Sequence, residues 1–317
     1  MTMAYFVFQQ MLYVAIPLLM VSLGGLFSER SGVVNIALEG IMVFGAFFGI
    51  LTLFMLQGMF APQLLFVIGM IAAILAGMAI AAVHAFASIN MKADQTISGT
   101  AINMFAPAFA VVMARLVYSV KEIPFKNVFL IRKVPLLGDI PVIGDLFFKN
   151  AYITTYLGFI ILIVVVFVMY KTRFGLRLRA AGENPNALDA AGVNVYKIRW
   201  AAVLISGALG GLGGFAIMIP VSTSFSGTVS GYGFLALAIL IFGQWKPIPV
   251  FISSIFFALT LTISNVYSAI PFFTNLNIPE QFFKMFPYIA TLIVLWFSSK
   301  TQAAPKALGD PYDQGKR

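Results

Sequence analysis

The stretch Leu178-Arg179-Ala180-Ala181-Gly182-Glu183-Asn184-Pro185-Asn186-Ala187-Leu188-Asp189-Ala190-Ala191-Gly192-Val193-Asn194-Val195-Tyr196-Lys197-Ile198-Arg199 is the longest polar interruption in the chain, and apolar segments of membrane-crossing length flank it. A helix-forming, small-residue-rich segment tethered between two spans is placed to meet a soluble partner outside the bilayer. Around it, the 317 residues are 61% hydrophobic and 10% charged, with a mean hydropathy of +0.97. Soluble domains carry roughly 25% charged residues, so the composition reads as a polytopic membrane protein forming one bundle of transmembrane helices.

Apolar windows long enough to cross the hydrocarbon fall at about 8 to 27, 33 to 56, 62 to 89, 95 to 119, 151 to 170, 201 to 219, 231 to 245, 248 to 270 and 286 to 299. Three of them are flawed as simple spans. The second opens with Asn35 and Glu39, the fourth contains Asn103 and Pro107, and 231 to 245 is short. Broken or re-entrant helices are expected there, since irregular backbone at membrane depth survives only where protein or a water-filled path satisfies it. The first basic residue is Arg30, so the opening apolar segment lacks the basic start of a secretory signal and is expected to be a retained span.

The net charge of +9 lies in connections, the pattern that orients helices in a membrane, and does not suggest nucleic acid. With 171 to 199 placed in the cytoplasm, the larger basic set, including Arg30, Lys92, Lys171, Arg173, Lys246 and Lys306, falls on that side. Lys121, Lys126, Arg132, Lys133, Lys149 and Lys284 fall on the other. The C-terminus is then cytoplasmic, and an odd number of spans places the N-terminus outside. The long external connection 120 to 150 is expected to pack on the outer face, receive a partner, or lie on the bilayer surface.

No phosphate loop, dinucleotide fingerprint or Cys/His cluster is present. Without cysteine and with His84 as the lone histidine, metal chemistry is not expected, and no catalytic residue is assigned. Active transport would draw on an ion gradient or on a separate ATPase. Ion-coupled carriers usually place several ionisable groups in the membrane, whereas Glu39 is the one acid clearly inside an expected span. Asn35, one helical turn earlier, would share its face, so the pair either lines a polar path or bonds an adjacent helix. The strip Gln95, Thr96, Ser98, Thr100 and Asn103 carries the same two readings, with Gln95 and Asn103 on nearly one face. Ser222, Thr223, Ser224 and Ser226 read as polar path or external loop. Gly207, Gly210, Gly211 and Gly214 form overlapping small-xxx-small patterns for close helix packing, and His84 reads as an interhelical hydrogen-bonding group.

Within the polar interruption, Ala187, Ala190, Ala191 and Val195 recur near helical spacing, with Asn186 as the expected cap and Gly192 as the expected end. A short, stiff helix anchored to spans at both ends would transmit the pull of a partner as rigid-body motion.

The segment resembles the cytoplasmic coupling helix in permease subunits of ATP-binding-cassette importers for ribose-like sugars, branched-chain amino acids and nucleosides. Its pattern Ala-x-Gly-x-Asn-x-x-Ala-x-x-x-Ala-Gly-Val/Ile-x-Val is matched by Ala180, Gly182, Asn184, Ala187, Ala191, Gly192, Val193 and Val195. The runs Ser28 to Gly40, Pro135 to Pro141, Gly233 to Ala238 and Ala307 to Tyr312 are similar to the nucleoside and simple-sugar branch. Gln244-Trp245-Lys246-Pro247 departs from that family's Lys/Arg-Trp-Asn-Pro form.

The resemblance implies an all-α polytopic protein of about 8–10 transmembrane helices, with broken or re-entrant segments, in a bacterial cytoplasmic membrane. Residues 1–317 would form one permease domain, with a coupling segment at 178–199, an external loop at 120–150 and a cytoplasmic tail at 300–317. It further implies inward carriage of a nucleoside, with a ribose-like sugar or a branched-chain amino acid as alternatives and an ion-coupled carrier as the reading from a different class. Gly182, Glu183, Asn184, Ala187, Ala190, Ala191 and Gly192 would dock on an ABC ATPase subunit that holds ATP and Mg. This chain would bind no cofactor. A second permease, identical or paralogous, and an extracytoplasmic solute-binding lipoprotein of the basic-membrane-protein type would complete the assembly. Asn35, Glu39, Gln95 and Asn103 are the candidate substrate-path residues.

Overall fold

The computed structural model describes residues 3–267 and 304–314, together with positions 281, 282, 285, 289 and 292. The expected span at 286 to 299 lies outside the continuously described segments. Ten helices follow in order: α1 (Met3–Arg30), α2 (Leu38–Leu56), α3 (Pro62–Ala85, continued by a π turn over Phe86–Asn90), α4 (Gln95–Tyr118), α5 (Ile153–Lys171), α6 (Arg173–Glu183), α7 (Pro185–Ala190), α8 (Val195–Val221), α9 (Tyr232–Phe242) and α10 (Pro247–Val266). Seven are long and apolar enough to cross a membrane, and α9 is a shorter apolar helix. Among the described residues, strands are confined to two short antiparallel pairs, β1 (Ile123–Pro124) with β4 (Ser224–Phe225) and β2 (Ile131–Lys133) with β3 (Lys149–Ala151).

α1 is apolar on every face, and burial along nearly its whole length makes it the central post, as expected of a helix without a polar stripe. α8 wedges between α2 and α3, and its glycines set the spacing. A Cβ on Gly211 would stand 2.3 Å from the Ala73 carbonyl oxygen of α3, and one on Gly214 would stand 2.1 Å from the Met42 carbonyl oxygen of α2. The overlapping small-residue patterns therefore serve two different neighbours. Close approach of this kind supplies dispersion contacts where lipid gives no hydrophobic drive between helices.

The two ends of the bundle differ in chemistry. At one end the connection 120–150 packs on the helices: Ile123, Phe125 and Phe129 are buried, Phe129 meets Phe66 with ring centroids 5.1 Å apart, and Gln9 near the start of α1 donates to the Asp145 carbonyl at 2.6 Å. The start of α1 thus shares an end with 120–150. At the opposite end lie α6, α7, the π turn and residues 304–314, joined by Arg30–Glu183 at 3.8 Å and Lys92–Asp313 at 2.8 Å.

Three local expectations are corrected. Residues 33–37 are not helical, so Asn35 and Glu39 do not share a helix face; α2 begins only at Leu38. The short helix α7 is capped by Asn184, whose Oδ1 accepts from the Ala187 N–H at 3.0 Å, and not by Asn186. Pro185 causes this, because it takes the first helical position and needs an extended residue before it. Finally, α7 ends at Ala190, Gly192 turns at φ +78°, and Val195 opens α8 under an Asn194 cap, so Val195 is not on the coupling helix.

Gly77 of α3 tests the packing. A Cβ there would lie 2.2 Å from the Gly207 carbonyl oxygen, so Gly77→Ala is expected to cost about 1–3 kcal/mol through overpacking. Thermal unfolding in detergent should show Tm lowered by several degrees, while Ile163→Ala at an open α5 position leaves it unchanged.

Candidate functional site

Between α1 and α2 the chain runs through seven residues, 31 to 37, without helical hydrogen bonding. Their depth follows from α8: Arg199 reaches Ser31, and Ser206 accepts from Asn35 Nδ2 at 2.8 Å. Ser206 lies eleven residues beyond Val195, about 16 Å along the axis at roughly 1.5 Å per residue. That is about half of a hydrocarbon core of roughly 30 Å. The segment rises from the Arg30 end of the bundle to mid-depth, where an unpaired backbone group costs several kcal/mol.

Its backbone is satisfied from all sides. The Ser31 carbonyl accepts from Arg199 Nε at 3.1 Å, the Gly32 carbonyl from the Gly309 N–H at 3.0 Å, and the Val33 carbonyl from Ser28 Oγ at 2.8 Å. Gln95 Oε1 takes the Val34 N–H at 2.7 Å, and His84 Nε2 stands 3.0 Å from the Val34 carbonyl. The Glu29 carboxylate accepts from the Asn35 N–H and from Trp245 Nε1. Asn103 spans the junction with α2, donating to the Ile36 carbonyl at 2.8 Å and accepting from the Gly40 N–H at 2.8 Å.

Glu39 binds a second discontinuity. After α8 the chain turns back through 222–231 and enters α9, which is only eleven residues long. The Glu39 carboxylate accepts from the Gly231 N–H at 2.9 Å and the Gly233 N–H at 2.7 Å, capping α9 from its own place in the first turn of α2. Two helix N-termini thus converge on one carboxylate, each favouring negative charge. Gly233 is required at this approach, since a Cβ would stand 2.4 Å from the Glu39 Cα.

Asn35, Glu39 and Gln95 are buried and Asn103 half-buried, and the structure brings all four to this pair of discontinuities. The face shared by Gln95 and Asn103 is turned onto the broken segment, and His84 is an interhelical hydrogen-bonding group, in line with the reading of the sequence. Asn35 Oδ1 and Gln95 Nε2 are buried atoms without a hydrogen-bond partner, an acceptor and a donor. Sequence reasoning missed Ser28, Glu29, Ser206 and Arg199, all buried. It also missed Trp245, whose motif forms the turn between α9 and α10, with Gln244 and Trp245 at φ of +50° and +53°. A polar residue at the edge of a span gives no signal of which backbone group it will meet.

The residues expected to dock on a partner divide in two. Gly182 is buried, because a Cβ would stand 2.4 Å from the Arg30 carbonyl oxygen. Glu183, Asn184, Ala187, Ala190, Ala191 and Gly192 are exposed, with Leu188 pinning α7 to the bundle. The result is a six-residue knob with Asn186, Ala187 and Ala190 exposed, flanked by exposed Glu183 and Asn184 before it and Ala191 and Gly192 after it.

A family model described as branched-chain amino acid transport system / permease component matches residues 7–295. The guanosine ABC transporter permease protein NupQ of Bacillus subtilis is 44% identical over 310 residues, covering 96% of this chain and 95% of that one. The nucleoside ABC transporter permease protein NupC of Lactococcus lactis is 42% identical over 310 residues, covering 96% of each. Among solved structures, an inward-facing conformation of a putative metal-chelate type ABC transporter aligns with a TM-score of 0.53 at 14% identity, covering 91% of this chain and 85% of that one, a likeness of fold.

Removing a bracket should leave its backbone partners unsatisfied at about 1–3 kcal/mol each. Asn103→Leu strips both the Ile36 carbonyl and the Gly40 N–H. Glu39→Ala strips both α9 donors, whereas Glu39→Gln retains an oxygen for one of them. Thermal unfolding is expected to rank wild type above Glu39→Gln and Glu39→Gln above Glu39→Ala; equal stability of the two Glu39 variants would contradict the capping role.

Proposed function

This chain belongs to the family of permease components of branched-chain amino acid transport systems, and from that premise we propose that the solute it carries inward is a nucleoside. It is a multi-pass permease subunit of an ATP-binding-cassette importer in the cytoplasmic membrane. The observation that carries the nucleoside reading is the 44% identity, over nearly the whole of both chains, to a guanosine permease. The local chemistry is compatible with it: Asn35 Oδ1 and Gln95 Nε2 supply an unused acceptor and donor, the pair that base edges and ribose hydroxyls demand.

Residues 1–317 act in this reading as a single permease domain that hydrolyses nothing. ATP and Mg belong to a separate ATPase subunit seated on Ala187, Ala190, Ala191 and Gly192. A second permease and an extracytoplasmic solute-binding lipoprotein of the basic-membrane-protein type complete the importer. The path passes the junction of α2 and α9 at Asn35, Glu39, Gln95 and Asn103, where discontinuous helices bring polar groups to mid-depth. Access switches when closure of the ATPase moves α7. That motion enters the bundle through Gly182, which abuts the last turn of α1. Direction requires the solute to interact differently with the outward- and inward-open states.

The test is reconstitution in proteoliposomes with the cognate ATPase, binding protein and second permease. Labelled guanosine is expected to accumulate only with ATP, and excess unlabelled nucleoside should compete where ribose and leucine do not; competition by ribose alone would reassign the solute. In the same system Ala191→Arg should leave membrane insertion intact while ATP hydrolysis no longer drives uptake.

A further inference from the structure

Ala307-Leu308-Gly309-Asp310-Pro311-Tyr312 stands near the end of the chain, where a membrane protein needs no particular sequence. In the structure this segment and the two residues after it bind five separate parts of the cytoplasmic end. The Ala307 N–H donates to the Gly182 carbonyl at the end of α6 at 2.8 Å, and the Gly309 N–H donates to the Gly32 carbonyl of the broken segment at 3.0 Å. The Asp310 carbonyl accepts from Arg199 Nη1 of α8 at 3.0 Å, and the Tyr312 ring meets Tyr196 of α8 with centroids 5.4 Å apart. Asp313 pairs with Lys92 after the π turn and, through its hydrogen bond, holds that ammonium above its ordinary pKa. Gln314 Nε2 reaches Asp189 Oδ1 on α7 at 3.3 Å.

Arg199 is the hub. It is 1% exposed, and its two bonded nitrogens tie the Ser31 carbonyl to the Asp310 carbonyl. Its Nη2 has no hydrogen-bond partner and faces Gly32, where a Cβ would stand 2.7 Å away. A cation placed just past the end of α1 meets the negative pole of that helix. Gly32 and Gly309 both hold positive φ, +93° and +87°, so the approach is built from residues that tolerate it.

We propose that residues 304–314 are a clasp that carries the movement of the coupling segment to the broken segment 31–37, with Arg199 as its positioning residue. The inference rests on the importer reading, since it needs an ATPase that moves α7. Alternate N–H groups of the clasp hold Gly182 on one side and Gly32 on the other, so displacement of α6 and α7 pulls on the strand that positions Asn35 and, through Asn103, the start of α2. A cavity of about 330 Å³ lined by Glu183, Asn184, Asn186, Lys306, Asp310 and Tyr312 opens between α7 and the clasp. A partner gripping α7 therefore bears on the clasp as well.

The reconstituted importer tests this with two variants, a truncation lacking 304–317 and Arg199→Lys, which keeps the charge but not the forked geometry. Both should bind the ATPase and hydrolyse ATP as wild type does, while solute moved per ATP falls roughly tenfold; an unchanged ratio in both overturns the clasp. Because the chain has no cysteine, a disulfide between Asp189→Cys and Gln314→Cys can lock clasp to α7. Transport is expected to survive oxidation, since the two move as one body, and arrest on oxidation counts against the proposal. A substrate-independent readout separates it from the nucleoside reading: a Thr228→Cys label site, on the segment leading into α9, should change its reactivity to an impermeant maleimide with ATP in the full chain but not in the truncated one. The same response in both chains, or none in either, refutes the clasp whatever solute is carried.

Discussion

Seven residues without helical hydrogen bonding at membrane depth are the constraint on which the rest of this protein depends. Water can satisfy a loop in a soluble protein, but in hydrocarbon every N–H and C=O of residues 31 to 37 must find a protein partner. The partners come from α1, α3, α4, α8 and the chain end, through Ser28, Glu29, His84, Gln95, Asn103, Arg199 and Gly309. The break therefore sets the relative position of five parts of the chain, and displacement of one disturbs bonds to the others.

The glycine contacts of α8 complement this arrangement. Where α2, α3 and α8 touch backbone to backbone, sliding would drive carbonyl oxygens into Cα atoms, so the three move together or not at all. The hydrogen-bonded junctions hold their neighbours through directional bonds that can be exchanged. Motion belongs at the segment 31–37 and at the entry to α9, and rigidity belongs to the glycine-packed helices between them.

Much of the fold was legible in the sequence, because span length and apolarity are physical requirements of a bilayer. Windows read at 95 to 119 and 201 to 219 became α4 and α8, and the misplaced Asn35 and Glu39 marked a real break. The geometry inside the break was not legible. A helical repeat put Asn35 and Glu39 on one face, whereas a turn at Ile36 and Ala37 separates them and sends one to α8 and the other to α9. Asn184 and Asn186 are equal as cap residues by type, and only the ring of Pro185 decides between them. Arg199 and Trp245 read as ordinary boundary residues, since their hydrogen bonds reach the chain end and Glu29, which no local pattern connects to them.

The Glu39 cap on α9 joins residues 192 positions apart, and that separation is also an interval of time. At synthesis rates of about 5–20 residues per second, α2 waits about 10–40 s for the helix that its carboxylate will cap. During that interval Glu39 is a buried-type acid with neither Gly231 nor Gly233 to receive it, and the N-terminal half of the bundle exists as an unfinished intermediate. Insertion of the early helices and completion of the site are thus separate events, and a nascent chain stalled before residue 231 would present an unmet carboxylate in the membrane to the cell's quality-control machinery.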